Sequence, residues 1–426
     1  MHLVQIIKLL VASGSVVSLG ITGCTQQHIV DVQAQERPPA TSAASPTQVS
    51  DAGAAVRALV RLGPRVAGTP VMAKASTYLI EAYRQAGYVT QVQTFTYQKF
   101  TDLGSNLTMD GKTIAGQALN GSVAGKLTAP LVAVPKVGRA ADFASVDVKG
   151  AIAIVQRGEI RFLDKARNAV AAGAIGLVVV NTDPGTVSGT LGGVVSIPVL
   201  TLAGEQGSPL LAQAQQVHQP VNLAVNTRQR TVTGRNIVAH LPQVKRPSLL
   251  LGGHYDSVAG SPGANDNASG TAVVLAIART AAKTPLARQA WFVAFDGEED
   301  GLHGSRAFVR TASPQFLKGL KGMLNFDMVG VNDKLSVGGS QPLAALAQAA
   351  APEISTFGSH GGSDHAPFAS AGVPVLFFHR GQEPNYHSPR DRSVEPKLLD
   401  ATVQVGLNVT QRLLAAGANA GMDGNK

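Results

Sequence analysis

Leu249-Leu250-Leu251-Gly252-Gly253-His254-Tyr255-Asp256 is a short aliphatic run that breaks off into two glycines, an imidazole and a carboxylate. An uninterrupted apolar run of this length reads as a strand buried on both faces, and polar residues just beyond it gather at its carboxyl end. The second half of the chain repeats the pattern. Trp291 to Phe295 leads to Asp296-Gly297-Glu298-Glu299-Asp300, Met323-Leu324-Asn325-Phe326 leads to Asp327, and Val373 to Phe378 leads to His379 and on to Tyr386-His387. Helical patterns intervene at Ala268 to Ala282, Gly304 to Thr311, Leu343 to Ala350 and Pro396 to Ala416. Buried strands alternating with helices predict an α/β fold: a mixed, mostly parallel sheet covered by helices on both faces, with its polar strand ends facing one crevice.

That crevice would collect His254, Asp266, Glu299, Asp327 and His387, two imidazoles and three carboxylates. Imidazole and carboxylate without thiolate suit Zn2+ in a catalytic site with positions left for water. Five ligands exceed the needs of one tetrahedral catalytic ion and serve two if one carboxylate bridges. Asp266 is placed for that role, in the glycine-bounded turn Gly263-Ala264-Asn265-Asp266-Asn267-Ala268-Ser269-Gly270 just ahead of a helix. Two such ions, about 3.5 to 4 Å apart, share one hydroxide nucleophile and hold the oxyanion that forms when it attacks a carbonyl. Glu298 adjoins Glu299 and points another way, so one carboxylate can bind metal while the other moves a proton from water to the leaving group. Asp256, two residues after His254, suits holding that imidazole in the right tautomer. Neither a G-x-S-x-G elbow nor an H-E-x-x-H helix occurs in the chain.

Outward from this half, the stretch Ala124 to Thr233 changes to short valine-rich runs, such as Ala151-Ile152-Ala153-Ile154-Val155 and Gly176-Leu177-Val178-Val179-Val180, around a helical stretch from Phe162 to Ala172. It reads as a small α/β domain, or else as one more strand-helix-strand unit of the larger sheet. The string Val155-Gln156-Arg157-Gly158, followed by Phe162, Lys165-Ala166, Ala169, Ala172-Gly173-Ala174 and Val180-Asn181, resembles the protease-associated (PA) domain, a non-catalytic insert of several exported peptidases. Before it come two helices, Asp51 to Leu62 and Val71 to Ala86, joined by the loop Gly63 to Thr69, and a strand from Val89 to Tyr97. Residues 25–50 are Gln, Pro, Ala, Ser and Thr with little to pack, and read as a disordered linker.

Residues 1–24 are a processing signal. Their apolar stretch, Leu9 to Ile21, falls short of the roughly 20 residues that a bilayer span requires. The stretch ends Ile21-Thr22-Gly23-Cys24, which resembles a bacterial lipoprotein signal with Cys24, the single cysteine, at the lipidated position. The body is therefore expected outside the cytoplasm, held to the cell envelope only by an N-terminal lipid. Composition agrees with a folded body: 426 residues are 44% hydrophobic and 15% charged, too apolar for disorder. One cysteine excludes a disulfide framework or a cysteine-rich metal site. The net charge of +9 is spread without a run of five Lys or Arg, so no nucleic-acid partner is expected.

The strings His254-Tyr255-Asp256-Ser257-Val258, Gly263 to Gly270, Gly297-Glu298-Glu299 with Gly301 and Gly304-Ser305, Asn325 with Asp327-Met328-Val329-Gly330, Ser363-Asp364-His365 with Pro367-Phe368, and Tyr386-His387-Ser388 with Asp391 closely resemble the secreted two-zinc aminopeptidases. These include bacterial leucyl aminopeptidases and the yeast vacuolar aminopeptidase, some with a PA insert. The resemblance spans roughly residues 51–416 and implies the zinc exopeptidase fold. The peptidase domain would comprise 51–123 and 234–416, the insert 124–233, and a short tail 417–426. It also implies two Zn2+ per chain, one on His254, Asp266 and Asp327, the other on Asp266, Glu299 and His387. Glu298 would be the general base, Tyr386 would hydrogen-bond the oxyanion, and peptides would be the substrates. Asp364 and His365 either brace a ligand or only pack, while His303, His360 and His379 receive no role, except that the glycine-flanked His360 is placed to line the cleft.

Gly362 stands where some relatives carry a basic residue, and nothing after the last predicted helix matches the dimerisation domain of larger relatives, so a monomer is expected. A carboxypeptidase or glutaminyl cyclase of the same fold, or a non-catalytic receptor-like binding module, stays open beside the aminopeptidase.

Overall fold

The computed structural model describes residues 29–30, 52–185, 187, 189–358 and 362–422; the leader with Cys24, most of the expected linker, His360 and the last four residues lie outside them. Two mixed sheets organise the described residues. The first runs Ile29–Val30, Val89–Asp102, Thr227–His240, Ala290–Phe295, Leu249–His254, Gly322–Phe326, Val375–His379, Ser336–Gly339 and Ser355–Thr356. Its four central strands, from Ala290–Phe295 to Val375–His379, are parallel, and antiparallel pairs flank them. Helix Gly270–Ala281 makes the crossover between the first two of these in sequence, as parallel neighbours require.

Because side chains alternate along a strand, each central strand feeds two cores. Leu249, Leu251, Phe292, Leu324, Phe326, Leu376 and Phe378 pack beneath helices Ala52–Arg61, Pro70–Gln85, Gly270–Ala281, Gln341–Ala350 and Pro396–Met422. Leu250, Val293, Phe295, Met323 and Val375 face the other way, against Phe308, Phe316 and Phe368 of helices His303–Thr311, Pro314–Gly319 and His365–Ser370. The aliphatic runs read as doubly buried strands are so, with helices on both faces.

The second sheet contains Lys112–Ala115, Asn106–Met109, Pro220–Val225, Gly125–Ala133, Ile152–Gln156, Gly176–Val180, Val199–Leu202 and Gln117–Ala118. One face packs on helix Phe162–Ala171 and the other on Gly204–Ala214, giving two small apolar clusters of its own. It is thus a separate α/β unit, and the alternative of one more unit in the larger sheet falls away. Inside it, the buried Lys165 ammonium donates to the carbonyls of Val137, Gln156 and Gly158 at 2.5, 3.0 and 3.0 Å.

A two-stranded ribbon joins the units. Val89–Asp102 and Thr227–His240 pair antiparallel over their full lengths, from Val89 opposite His240 to Asp102 opposite Thr227. The first strand therefore continues past Tyr97, its expected end. At the outer end polar side chains meet, as in Gln98 donating to Thr231 at 3.0 Å, so the apolar alternation that signals a strand is missing there. The C-terminal helix runs Pro396–Met422, beyond Ala416; Gly417 costs about 1 kcal/mol in a helix interior and does not by itself stop one.

Candidate active site

The strand ends deliver the predicted ligands to one place. His254 closes its strand, buried, with Nδ1 facing Asp256, 3.5 Å from Oδ1 and 3.3 Å from the carbonyl. Its Nε2 looks the other way, 3.3 Å from Asp266 Oδ1 and 3.4 Å from Asp327 Oδ1. Across the site, His387 Nε2 lies 3.1 Å from both Asp266 Oδ2 and Glu299 Oε2. Asp266 therefore presents one carboxylate oxygen to each imidazole. Asp327 is aimed by a relay in which Asn325 Nδ2 donates to Ser363 Oγ at 2.8 Å and Ser363 donates to Asp327 Oδ2 at 2.7 Å, leaving Oδ1 toward His254.

Asp266 owes its position to an irregular turn. Ala264–Ser269 winds loosely, with Asp266 and Asn267 in extended backbone, so the helix starts only at Gly270 rather than at Ala268. The Asp391 carboxylate accepts the N–H groups of Asn265 at 2.8 Å and Asp266 at 3.1 Å. Gly270 passes so close to strand Gly322–Phe326 that a Cβ there would lie 2.0 Å from the Phe326 carbonyl oxygen. On the opposite wall, Asp256 accepts the N–H groups of Glu298 and Glu299 at 3.2 Å each. One carboxylate thus holds both an imidazole and the turn that carries the adjacent glutamates.

The donor set tests well for a divalent metal. Among the described residues, His254 Nε2, Glu299 Oε1 and Asp327 Oδ1 are buried without a hydrogen-bond partner, a state that buried polar atoms rarely keep. Nitrogen and carboxylate donors without sulfur match zinc. The charge balance points the same way. Burial alone would lower the His387 imidazole, yet its bonds to Asp266 and Glu299 push it up to about 10. Burial pushes Glu299 up to about 7 and Glu298 well above the carboxylate range. Two imidazoles face four carboxylates here, those of Asp266, Glu298, Glu299 and Asp327, and a bound dication would favour the ionised form of these buried acids.

Over these residues opens a cavity of about 470 Å³, bordered by Asp266, Glu298, Glu299 and Asp327 and walled by Phe357 and Phe377. Tyr386 stands at its edge, 37% exposed, stacked on His387 with ring centres 3.8 Å apart. Burial and the neighbouring acids push its hydroxyl upward, so it remains a hydrogen-bond donor. Asp364 is fully buried, and burial raises it to about 7, with Asp256 and Asp327 adding to the shift and His254 opposing it.

Three features have contacts at the site that the sequence reading did not assign. His379, given no role, lines the cavity with Nδ1 2.8 Å from the Asp327 carbonyl. Tyr97 and Lys99 of the ribbon bind Asp300, next to Glu299, at 2.5 and 2.7 Å. Arg65, in a loop read only as a connection, is wholly buried against the segment between His254 and Asp266. No local pattern marks residues whose partners lie this far along the chain.

Residues 236–410 match the model of peptidase family M28 and residues 127–210 that of the PA domain. Aminopeptidase YwaD of Bacillus subtilis is 34% identical over 83% of this chain and 82% of its own length. A probable lipoprotein aminopeptidase, LpqL, of Mycobacterium tuberculosis is 31% identical over 73% of this chain and 69% of its own. Among solved structures, an aminopeptidase from Aneurinibacillus sp. strain AM-1 superposes with a TM-score of 0.76 at 31% identity, over 86% of this chain and 94% of that one. BSAP, a zinc aminopeptidase from Bacillus subtilis, gives 0.67 at 30%, over 85% and 94%. Identity of this level across most of both chains, with the fold and the ordered strand-end residues, establishes that the chain belongs to peptidase family M28 and carries a PA domain.

Proposed function

We propose that the protein is an exported zinc aminopeptidase that removes N-terminal residues from peptides, using two Zn2+ per chain. The observation that carries the two-metal reading is the divided carboxylate of Asp266, with Oδ1 toward His254 and Oδ2 toward His387. His254, Asp266 and Asp327 would hold one ion and Asp266, Glu299 and His387 the other. Zinc held by these residues would activate the attacking water and polarise the scissile carbonyl. Glu298, within the cavity and within 4.8 Å of His254 and Asp327, takes the proton of the attacking water and returns it to the leaving amine. Tyr386 donates its hydroxyl proton in a hydrogen bond to the oxyanion. Asp256 keeps the His254 proton on Nδ1, so that Nε2 offers its lone pair. Asp364 adds a buried carboxyl group to the electrostatic surroundings of His254, Asp256 and Asp327.

In this reading the peptidase body comprises 51–123 and 234–416 around an insert at 124–233, except that the insert's sheet also takes in the strands from Asn106 to Ala118 and the last helix runs on to Met422 into the expected tail 417–426. Residues 1–24 direct export, Cys24 carries the lipid and 25–50 form the tether to a bacterial envelope, where the protein acts as a monomer. Likeness to a probable lipoprotein aminopeptidase supports this placement.

Elemental analysis of the form lacking residues 1–24 should find about two zinc per chain, with leucyl-p-nitroanilide hydrolysis lost to a chelator and restored by zinc. Glu298→Gln should keep the zinc and lose roughly 10²- to 10⁴-fold in kcat. Full activity with one zinc, or an active Glu298→Gln protein, would remove the two-metal mechanism or the base assignment respectively.

A further inference from the structure

Arg65 lies in the turn between the first two helices, far along the chain from the site it touches, and is completely buried. Its guanidinium donates from Nε to the Tyr255 carbonyl at 2.7 Å, from Nη2 to the Gly263 carbonyl at 2.9 Å and from Nη1 to the Pro262 carbonyl. The Arg65 backbone N–H donates to Ser257 Oγ at 3.0 Å, and its carbonyl accepts the Ser257 N–H at 3.1 Å. Ser257 Oγ then donates to the Ser261 carbonyl at 2.9 Å. Every one of these partners belongs to the segment 255–263, which joins His254 to the turn that presents Asp266.

This segment contains neither strand nor helix. Its buried carbonyls therefore need donors from elsewhere. A guanidinium suits the task because it presents five N–H donors in one rigid plane and reaches three carbonyls at once, where an ammonium is a compact charge on a flexible stem. Asp391 holds the neighbouring N–H groups of Asn265 and Asp266. The connection between the two residues is thus gripped at its carbonyls by a cation and at its amides by an anion. Arg65 also sets a positive charge among Asp256, Asp266, Glu299 and Asp391, which offsets part of their mutual repulsion.

We propose that Arg65 is a positioning residue for the metal centre, holding the carbonyls of Tyr255, Pro262 and Gly263 so that His254 and Asp266 keep the spacing one ion requires. The proposal rests on the two-zinc reading for what the segment carries, and on the hydrogen bonds alone for the segment's being held.

The test uses Arg65→Lys and Arg65→Gln in the whole chain, with amide hydrogen exchange on metal-free protein and zinc release to a colorimetric chelator. In the metal-free variants residues 255–266 should exchange at least about tenfold faster, while strands Leu249–His254 and Gly322–Phe326 keep the protection of the unsubstituted protein. Zinc release should quicken by roughly 10- to 100-fold, less for Lys than for Gln. Unchanged exchange in 255–266, or exchange that rises equally in the strands, overturns the proposal, since the first means that the segment needs no clamp and the second that Arg65 only supports the fold. Should Arg65→Gln fail to fold, Arg65→Lys is judged by the same two readouts, and failure of both variants to fold counts as the second outcome. If the unsubstituted chain binds no zinc, the two-zinc reading fails, while the metal-free exchange comparison still decides whether Arg65 holds the segment.

Discussion

Asp256 is the residue on which the site turns, because its carboxylate faces the His254 imidazole and accepts two N–H groups from the turn of Glu298 and Glu299. Asp256→Asn keeps the shape but replaces one acceptor oxygen by a donor amide, which cannot serve all three. Competition with a chelator should show zinc affinity lowered about 10- to 100-fold; an unchanged affinity would mean that the imidazole is oriented by the Asp256 carbonyl instead. His365 gives the fold a pH dependence of its own. It is buried, stacked on Phe377 with ring centres 4.5 Å apart, and burial pushes it down to about 4. In the unfolded chain a histidine titrates near 6.5, so between about pH 6.5 and 4 the unfolded state binds more protons and stability falls as pH falls. Urea unfolding of metal-free protein should therefore show His365→Gln with a flatter acid limb over that window, the difference reaching about 3 kcal/mol at its lower end. Parallel profiles would show that His365 does not carry this dependence.

Between elements, the deciding contact is that of helix Gly270–Ala281 with strand Gly322–Phe326. The helix places Asp266 just ahead of it, and the strand places Asp327 just after it, so their spacing sets the distance between two ligands. Only hydrogen at Gly270 permits the approach, since a Cβ would stand 2.0 Å from the Phe326 carbonyl oxygen and 2.7 Å from Asn267 Oδ1. Gly270→Ala should push the helix outward and cost about 1 to 3 kcal/mol, the usual range for overpacking, together with zinc content. Urea unfolding with parallel metal analysis checks both, and a stable variant with full zinc would show that the contact can relax.

For the molecule as a whole, the ribbon Val89–Asp102 with Thr227–His240 is what links insert to chemistry. It leaves the first sheet, carries the second, and on its way holds Asp300 through Tyr97 and Lys99. Every proposed ligand lies outside the second sheet. The Leu103 N–H donates to the Asn226 carbonyl at 2.7 Å, closing the ribbon at its outer end. Replacing residues 105–225 by a short Gly-Ser link should therefore leave zinc binding and hydrolysis of leucyl-p-nitroanilide in place while changing which peptide lengths are cleaved. Equal loss on anilide and peptides would show that the insert supports the site itself.

Much of this protein follows from one-dimensional pattern. Unbroken aliphatic runs such as Leu249 to Leu251, short and alternating with longer helical patterns, read as strands buried on both faces, and the polar residues after them gather at the strand ends. The α/β fold and the meeting of His254, Glu299 and Asp327 beyond neighbouring strand ends are therefore written in residue order, whereas Asp266 and His387 are placed by the turns that carry them. Tertiary structure alone decided the rest. The outer ribbon, Tyr97 to Asp102 against Thr227 to Val232, carries mostly polar residues with Tyr97, Phe100 and Val232 scattered among them, so it shows no alternation to read. Arg65 is a charged residue in an unremarkable loop, buried only because backbone carbonyls from a distant segment converge on it. Local periodicity records which side a residue turns toward the core; it does not record which distant carbonyl waits there, and such partners exist only once the chain has closed on itself.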